Sequence, residues 1–203
     1  MFIEQPSIYL RWLYPKATWR MDPSEKAVYL TFDDGPIPEA TPFILDVLDR
    51  YGIKATFFMV GDNARKYPHL LEEVRKRGHR IGNHTFNHIG GLKWWSWRYL
   101  LNAHKAQAIL KTDLFRPPHG WMKPSQYLRL HNRYRIIMWD LVTRDYSKWM
   151  TAEGVVNNVK RYARNGSIIT FHDSLKSIDK LKSALPDAID WLIGEGYAFR
   201  IFP

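Results

Sequence analysis

Two hydrophobic periods alternate along this chain. Short apolar runs rich in β-branched and aromatic residues read as buried strands at 26–32, 54–60, 79–83, 114–115, 135–139, 167–171 and 197–202. Between them, apolar residues recur at helical spacing. Phe43, Ile44, Val47, Leu48 and Tyr51 form one stripe over residues 42–51, and Gly52 lies just past its end. Pro68 opens a second helix whose last turn carries Arg75, Lys76 and Arg77, which suit the negative end of the dipole, before Gly78 stops it. Ser96 is placed to cap a third helix reaching about Leu110, and a fourth starts near Pro124. Thr151 caps a fifth with Val155, Val159 and Tyr162 on one face, ended by Asn165-Gly166. Residues 178–193 form a sixth, with a kink or restart at Pro186.

Strands separated by helices imply parallel pairing, because each crossover is helical. An open doubly wound sheet and a closed barrel both satisfy the pattern. The eight-unit barrel usually takes about 250 residues. A distorted (β/α) barrel of about seven parallel strands suits 203 residues better. That length supports one core. Residues 26–203 read as a single domain, and 1–25 as an arm packed over it.

Composition changes this picture little. There is no cysteine, which removes disulfides, thiolate metal sites and cysteine nucleophiles. The net charge of +10 admits anionic partners, but the basic residues come in groups no longer than three, as expected of a solvated surface. No segment approaches the roughly 20 apolar residues of a membrane span. The first 21 residues contain Glu4, Pro6, Arg11 and Pro15 and lack the core of a signal peptide, so the default location is cytoplasmic.

The chemistry lies at strand ends. Asp33 and Asp34 leave the first strand, followed by the turn formers Gly35-Pro36. Adjacent carboxylates repel, and a cation is the usual remedy. His84 and His88 follow the third strand. Two imidazoles and a carboxylate are a common ligand set for zinc or a similar ion with an open catalytic position. Arg116, Asp140 and His172 follow the fourth, fifth and sixth strands. All these groups read as leaving the carboxyl ends of strands, where parallel α/β folds build their sites. The pattern is that of a metal-dependent hydrolase.

From residue 26 to 202 the chain resembles the polysaccharide deacetylase family, the NodB-homology domain of carbohydrate esterases. The resemblance rests on five motifs in order: Thr31-Phe32-Asp33-Asp34-Gly35; His84-Thr85-Phe86-Asn87-His88; Arg116-Pro117-Pro118-His119-Gly120; Asp140 through Asp145-Tyr146; and an apolar strand ending in His172-Asp173. It implies hydrolysis of N-acetyl groups on an amino-sugar polysaccharide or glycoconjugate. It further implies one divalent ion, zinc foremost with cobalt, nickel, manganese or iron as alternatives, held by Asp34, His84 and His88. Asp33 would be the general base, oriented by Arg116. His172 would be the general acid, tuned by Asp145, and the residue at His119 would donate a backbone N–H to the oxyanion. Three positions depart from the family: His119 replaces an aromatic residue, Tyr146 replaces Trp, and Thr170 stands where Leu forms one side of the acetyl pocket.

An N-acetylated glycan is therefore the expected partner, and no nucleic acid is expected. A nuclease would call for a phosphate-cradling Gly-rich loop or a concentrated basic stripe, and neither is read here. A glycan-binding domain without catalysis would not need base, ligands and acid together. Trp94, Trp95 and Trp97 could pack between helices or offer faces to sugar rings.

Overall fold

The computed structural model describes residues 4–203. Strand β1 (Ala27–Asp33) is central. It pairs in parallel with β2 (Thr56–Met59) on one side and β7 (Ser167–His172) on the other, with β8 (Ala198–Phe199) added at its amino end. Beyond β2 lie β3 (Arg80–Asn83), β4 (Leu114–Phe115) and β5 (Arg135–Ile136); beyond β7 lies β6 (Leu141–Val142). Every pairing is parallel. The two ends of this seven-strand path, β5 and β6, are separated by only four residues of chain, so the sheet curls into a half-barrel. The distorted barrel expected from the sequence is the fold.

Period-two alternation sorts the central strands into two faces. Val28, Leu30 and Phe32 of β1, Phe57 and Met59 of β2, and Ile169 and Phe171 of β7 point outward into the main apolar cluster. There they meet Ile44 and Leu45 of α2 (Thr41–Arg50), Val155 and Val159 of α7 (Ala152–Tyr162), and Leu181, Leu185 and Ile189 of α8 (Ile178–Gly194). Full burial of each such side chain stabilises by about 1.5–3 kcal/mol. The opposite face lines the barrel. Its lower layer is apolar, with Tyr29, Phe58, Ile168 and Phe202 packed together. Above it stand Thr31 and Thr170, and above those Asp33 and His172, each pair in register across β1 and β7. The interior thus changes from apolar to charged over three layers. Gly82 permits this packing, since a Cβ there would lie 2.2 Å from the Phe58 ring.

The segment before β1 is part of the wall. Thr18 bridges Ile137 and Arg20 bridges Ser167, across the gap between β5 and β7. Tyr14 is fully buried, and its hydroxyl both donates to the Met122 carbonyl and accepts from the Met122 N–H at 2.7 Å. The short α1 (Ile8–Leu13) contributes Leu10 to the same cluster.

The structure departs from the sequence reading in several places. The expected strand at 135–139 is confined to the two-residue β5, and β6 after Asp140 is an additional strand, giving eight strands among the described residues. The carbonyls that follow β5, those of Ile137 and Met138, face the Arg116 guanidinium and accept its Nε and Nη2. Ser96 is the first residue of α5 (Ser96–Leu110) and does not cap it; its hydroxyl bonds Ser125 at 2.8 Å. Pro186 lies within a continuous α8, held helical by the buried stripe around it. Asp140 does not sit at a carboxyl end. Its backbone N–H meets the Ile168 carbonyl low on β7, and its carboxylate binds Arg164, Arg11 and Ser167. Two helices were not foreseen: α1 and the six-residue α3 (Gly61–Lys66), which precedes α4 (Pro68–Lys76).

Candidate active site

The carboxyl ends of β1, β3, β4 and β7 converge on one rim. β1 delivers Asp33 inward, and the chain then turns, with Asp34 in the left-handed region at φ 84°. Its carbonyl accepts a bond from Asn63 Nδ2 at 2.9 Å, which anchors the turn to α3. A Cβ on Gly35 would lie 1.9 Å from Asp173 Oδ2, so only glycine lets the loop pass that carboxylate. The loop from His84 to His88 is irregular, with Thr85 and His88 also at positive φ. His119 is a fourth such residue. Left-handed non-glycine residues cost of order 1–3 kcal/mol each and cluster where a site demands them.

Asp34, His84 and His88 bring one ligand atom each within 4.8 Å of one another. Asp34 Oδ1 lies 3.1 Å from His88 Nε2 and 3.7 Å from His84 Nε2. That oxygen is buried and forms no hydrogen bond. His84 Nδ1 faces the Arg116 carbonyl at 2.8 Å, so Nδ1 carries the hydrogen and Nε2 presents its lone pair to Asp34. Burial pushes His84 down to about 4, against the opposing pull of Asp33, so it is neutral. Asp34 lies well below the usual carboxylate range: burial alone would raise it, but His88, His172 and His84 together outweigh that. Two imidazoles, an ionised carboxylate and a buried oxygen without a donor are the donor set a divalent ion requires. Asp34 and His88 border an open cleft of about 320 Å³ that also touches Val60, Asp62, Asn63 and Asn87.

Asp33 and Arg116 form a second unit. Arg116 is 1% exposed, and its Nη1 reaches Asp33 Oδ1 at 2.7 Å and Thr31 Oγ1 at 2.8 Å. With Nε and Nη2 on backbone carbonyls and Phe58 4.1 Å beneath it, the guanidinium is fixed on every side. A buried charge so satisfied gives Asp33 one orientation.

His172 and Asp145 form the third. The His172 ring meets Asp145 Oδ1 through Nδ1 at 2.8 Å, and Tyr146 packs edge-on against it with centroids 4.6 Å apart. Burial would lower His172, but the charge and hydrogen bond of Asp145, with smaller help from Asp34 and Asp33, raise it to about 9.

The candidate residues Asp33, Asp34, His84, His88, Arg116, Asp145 and His172 thus share one rim. His119 joins it at the mouth, its ring 4.8 Å from that of His88. Thr170 sits lower. It is 2% exposed, and its hydroxyl lies 3.2 Å from both Arg116 Nη1 and Thr31 Oγ1, in the polar layer under Asp33.

The polysaccharide deacetylase family model matches residues 20–133. The chain belongs to the polysaccharide deacetylase family. Its close relatives are named deacetylases, hydrolases of carbon–nitrogen bonds other than peptide bonds, and this deacetylase shares that class. It is 33% identical over 190 residues to a peptidoglycan-N-acetylglucosamine deacetylase of Bacillus cereus, covering 90% of this chain and 89% of that one. It is also 33% identical to a chitooligosaccharide deacetylase of Azorhizobium caulinodans, covering 76% and 77%. A crystal structure of a peptidoglycan N-acetylglucosamine deacetylase bound to a naphthyl N-hydroxybenzamide superposes with a TM-score of 0.90 at 30% identity, over 98% of this chain and 95% of that chain. A family 4 carbohydrate esterase pseudoenzyme from Bacillus anthracis also shares the fold, at TM-score 0.79 and 25% identity, covering 96% and 70%. The fold alone therefore does not carry activity.

Three residues of this deacetylase's rim lay outside the sequence argument. Thr31 belongs to the first motif, yet its role as a second acceptor for Arg116 needs the cross-strand partner to be known. Asp173 is buried with its carboxylate against Gly35, pushed up to about 7 chiefly by burial, and accepts the Thr41 hydroxyl at 2.6 Å. Thr41 in turn receives the Ile37 N–H at 2.7 Å, which ties the loop after Asp34 to α2.

Proposed function

We propose that the chain is a metal-dependent deacetylase that hydrolyses N-acetyl groups on an N-acetylglucosamine polymer or related glycoconjugate. The observation that carries this reading is the unsatisfied Asp34 oxygen between two imidazoles, flanked by Asp33–Arg116 and His172–Asp145. Asp34, His84 and His88 hold the ion, zinc by preference, with cobalt, nickel, manganese or iron compatible with the same donors. When bound, such an ion polarises a carbonyl and acidifies water. The relative's N-hydroxybenzamide is a hydroxamic acid, a chelating group, which supports the same reading.

The remaining steps belong to the protein. Asp33, oriented by Arg116, accepts a proton as water oxygen forms its bond to the acetamide carbon. The carbonyl oxygen gains the negative charge, and the His119 backbone N–H is assigned as a donor to it. The carbon–nitrogen bond then breaks. The leaving nitrogen takes a proton from His172, whose charged form Asp145 favours, and acetate and a free amine result. Acetate release from chitooligosaccharides and from peptidoglycan, after chelation and after adding back each ion, tests the proposal. Release that survives complete metal removal would reject the metal's part, and no release on any acetylated glycan with any ion would reject the activity.

A further inference from the structure

Trp94, Trp95 and Trp97 are not core. Trp95 is 73% exposed and Trp97 62%, with Leu92 and Leu101 also exposed beside them. The face begins where the site ends, because Gly90 lies against the His119 ring and the chain then runs through Leu92 to Trp97. α6 (Pro124–Leu130) continues it: Ser125 bonds Ser96, and Lys123 Nζ lies 5.8 Å from the Trp95 ring. Between α5 and α6 runs an open groove of about 470 Å³, bordered by Trp97, Leu101, Arg129 and Arg133.

Charge on this part of the chain is one-sided. Residues 89–135 hold nine Lys or Arg against a single acid, Asp113, and of the nine only Arg116 is buried, against Asp33. Lys93, Arg98 and Arg129 are exposed around the tryptophans, and Arg98 stacks 5.1 Å from the Trp97 ring. Outward indoles, aliphatic side chains and cations without counter-charges together have a specific chemical complement. An indole suits the boundary between hydrocarbon and water, and Lys and Arg suit anionic headgroups. A sugar polymer or a single-stranded nucleic acid would use the aromatic faces, but neither gives the exposed leucines a partner. A glycan platform also calls for carboxylate or amide side chains to bond hydroxyls, and the exposed part of residues 92–98 offers none.

We propose that this face docks the deacetylase on an anionic lipid surface, with the tryptophans entering the headgroup region and the site mouth held beside it. The test is co-sedimentation of the full chain with vesicles of phosphatidylcholine alone or mixed with phosphatidylglycerol, at low and high salt. Retention is expected only on the mixed vesicles, with weakening by salt. Each basic residue removed in a Lys93→Gln/Arg98→Gln variant should weaken binding about fivefold. Trp95→Ser/Trp97→Ser should lose the retention while releasing acetate from a soluble oligosaccharide as wild type does. Failure of wild type to bind the mixed vesicles, or binding unchanged in both variants, would overturn the proposal. So would tryptophan-dependent binding to soluble acetylated chitosan or to a single-stranded oligonucleotide without vesicle retention. The vesicle readout does not use acetate release, so it stands or falls separately from the proposed reaction.

Discussion

Asp145 holds His172 at two points. Oδ1 meets ring Nδ1 at 2.8 Å, and Oδ2 accepts the His172 backbone N–H at 2.7 Å. Asp145 is itself fully buried, and its Oδ1 also accepts the Tyr146 N–H at 3.0 Å. The carboxylate therefore sets both the place of the imidazole and its tautomer, leaving Nε2 for the site.

The sign of the pH dependence follows. In the proposed reaction the acid is the protonated form of His172. His172 is raised to about 9, so that form persists through neutral pH and is lost as pH rises past that value. Asp145→Asn removes the main raising influence and leaves burial, which lowers. The alkaline limb of the pH–rate profile should move downward, with metal content unchanged. A limb that stays in place would reject the tuning role, and an active His172→Ala would reject the acid itself.

Asp33→Asn separates the base from the ligands. The amide keeps the shape and can still accept from Arg116, but it cannot take a proton. Turnover should fall by about 10²- to 10⁴-fold while the ion stays bound, as general-base removal commonly does. Full turnover with metal present would move the base role to another group.

The barrel and its rim were legible because their signals are local. β1 and β7 are continuous apolar runs ending in acid or histidine, and strand ends are where such folds build sites. The early end of β5 was hidden, because the carbonyls that follow it meet Arg116, 21 and 22 residues away along the chain. Asp140 misled for a related reason. It follows an apolar run, but only the first two residues of that run form β5, and Asp140 lies just before β6 on the far side from the rim. The place of Thr170 was equally hidden. Its alternation with His172 is visible in sequence, but its bond to Arg116 comes from a different strand. The outward tryptophans could not be told from core by composition alone.

Arg116 joins stability to chemistry, so its replacement should affect both. Arg116→Met keeps much of the volume but leaves Asp33 buried without its partner. Breaking such a pair costs about 3–5 kcal/mol. At roughly 2–4 °C per kcal/mol for a chain of this size, the melting temperature should fall by about 6–20 °C. Turnover should fall further than the folded fraction accounts for. A variant that melts like wild type would show that the guanidinium is not the support described.

The ligand set can be tested without any substrate. An ion that binds only the folded chain raises stability by mass action, by about 2.7 kcal/mol at a hundredfold excess over its dissociation constant. The chelated protein should therefore melt lower than the protein with zinc restored, and cobalt should give a second, smaller or larger shift by the same donors. His84→Ala removes one imidazole but leaves Asp34 and His88, so the zinc-induced shift should shrink while the chelated melting temperature changes by less. Asp34→Asn should do the same from the opposite side of the site, because its unsatisfied oxygen is the anionic donor. Thermal melts of the wild type and both variants, chelated and reloaded, decide the matter. A zinc shift of full size in either variant would place the ion elsewhere. No shift in the wild type would remove the ion from the rim altogether.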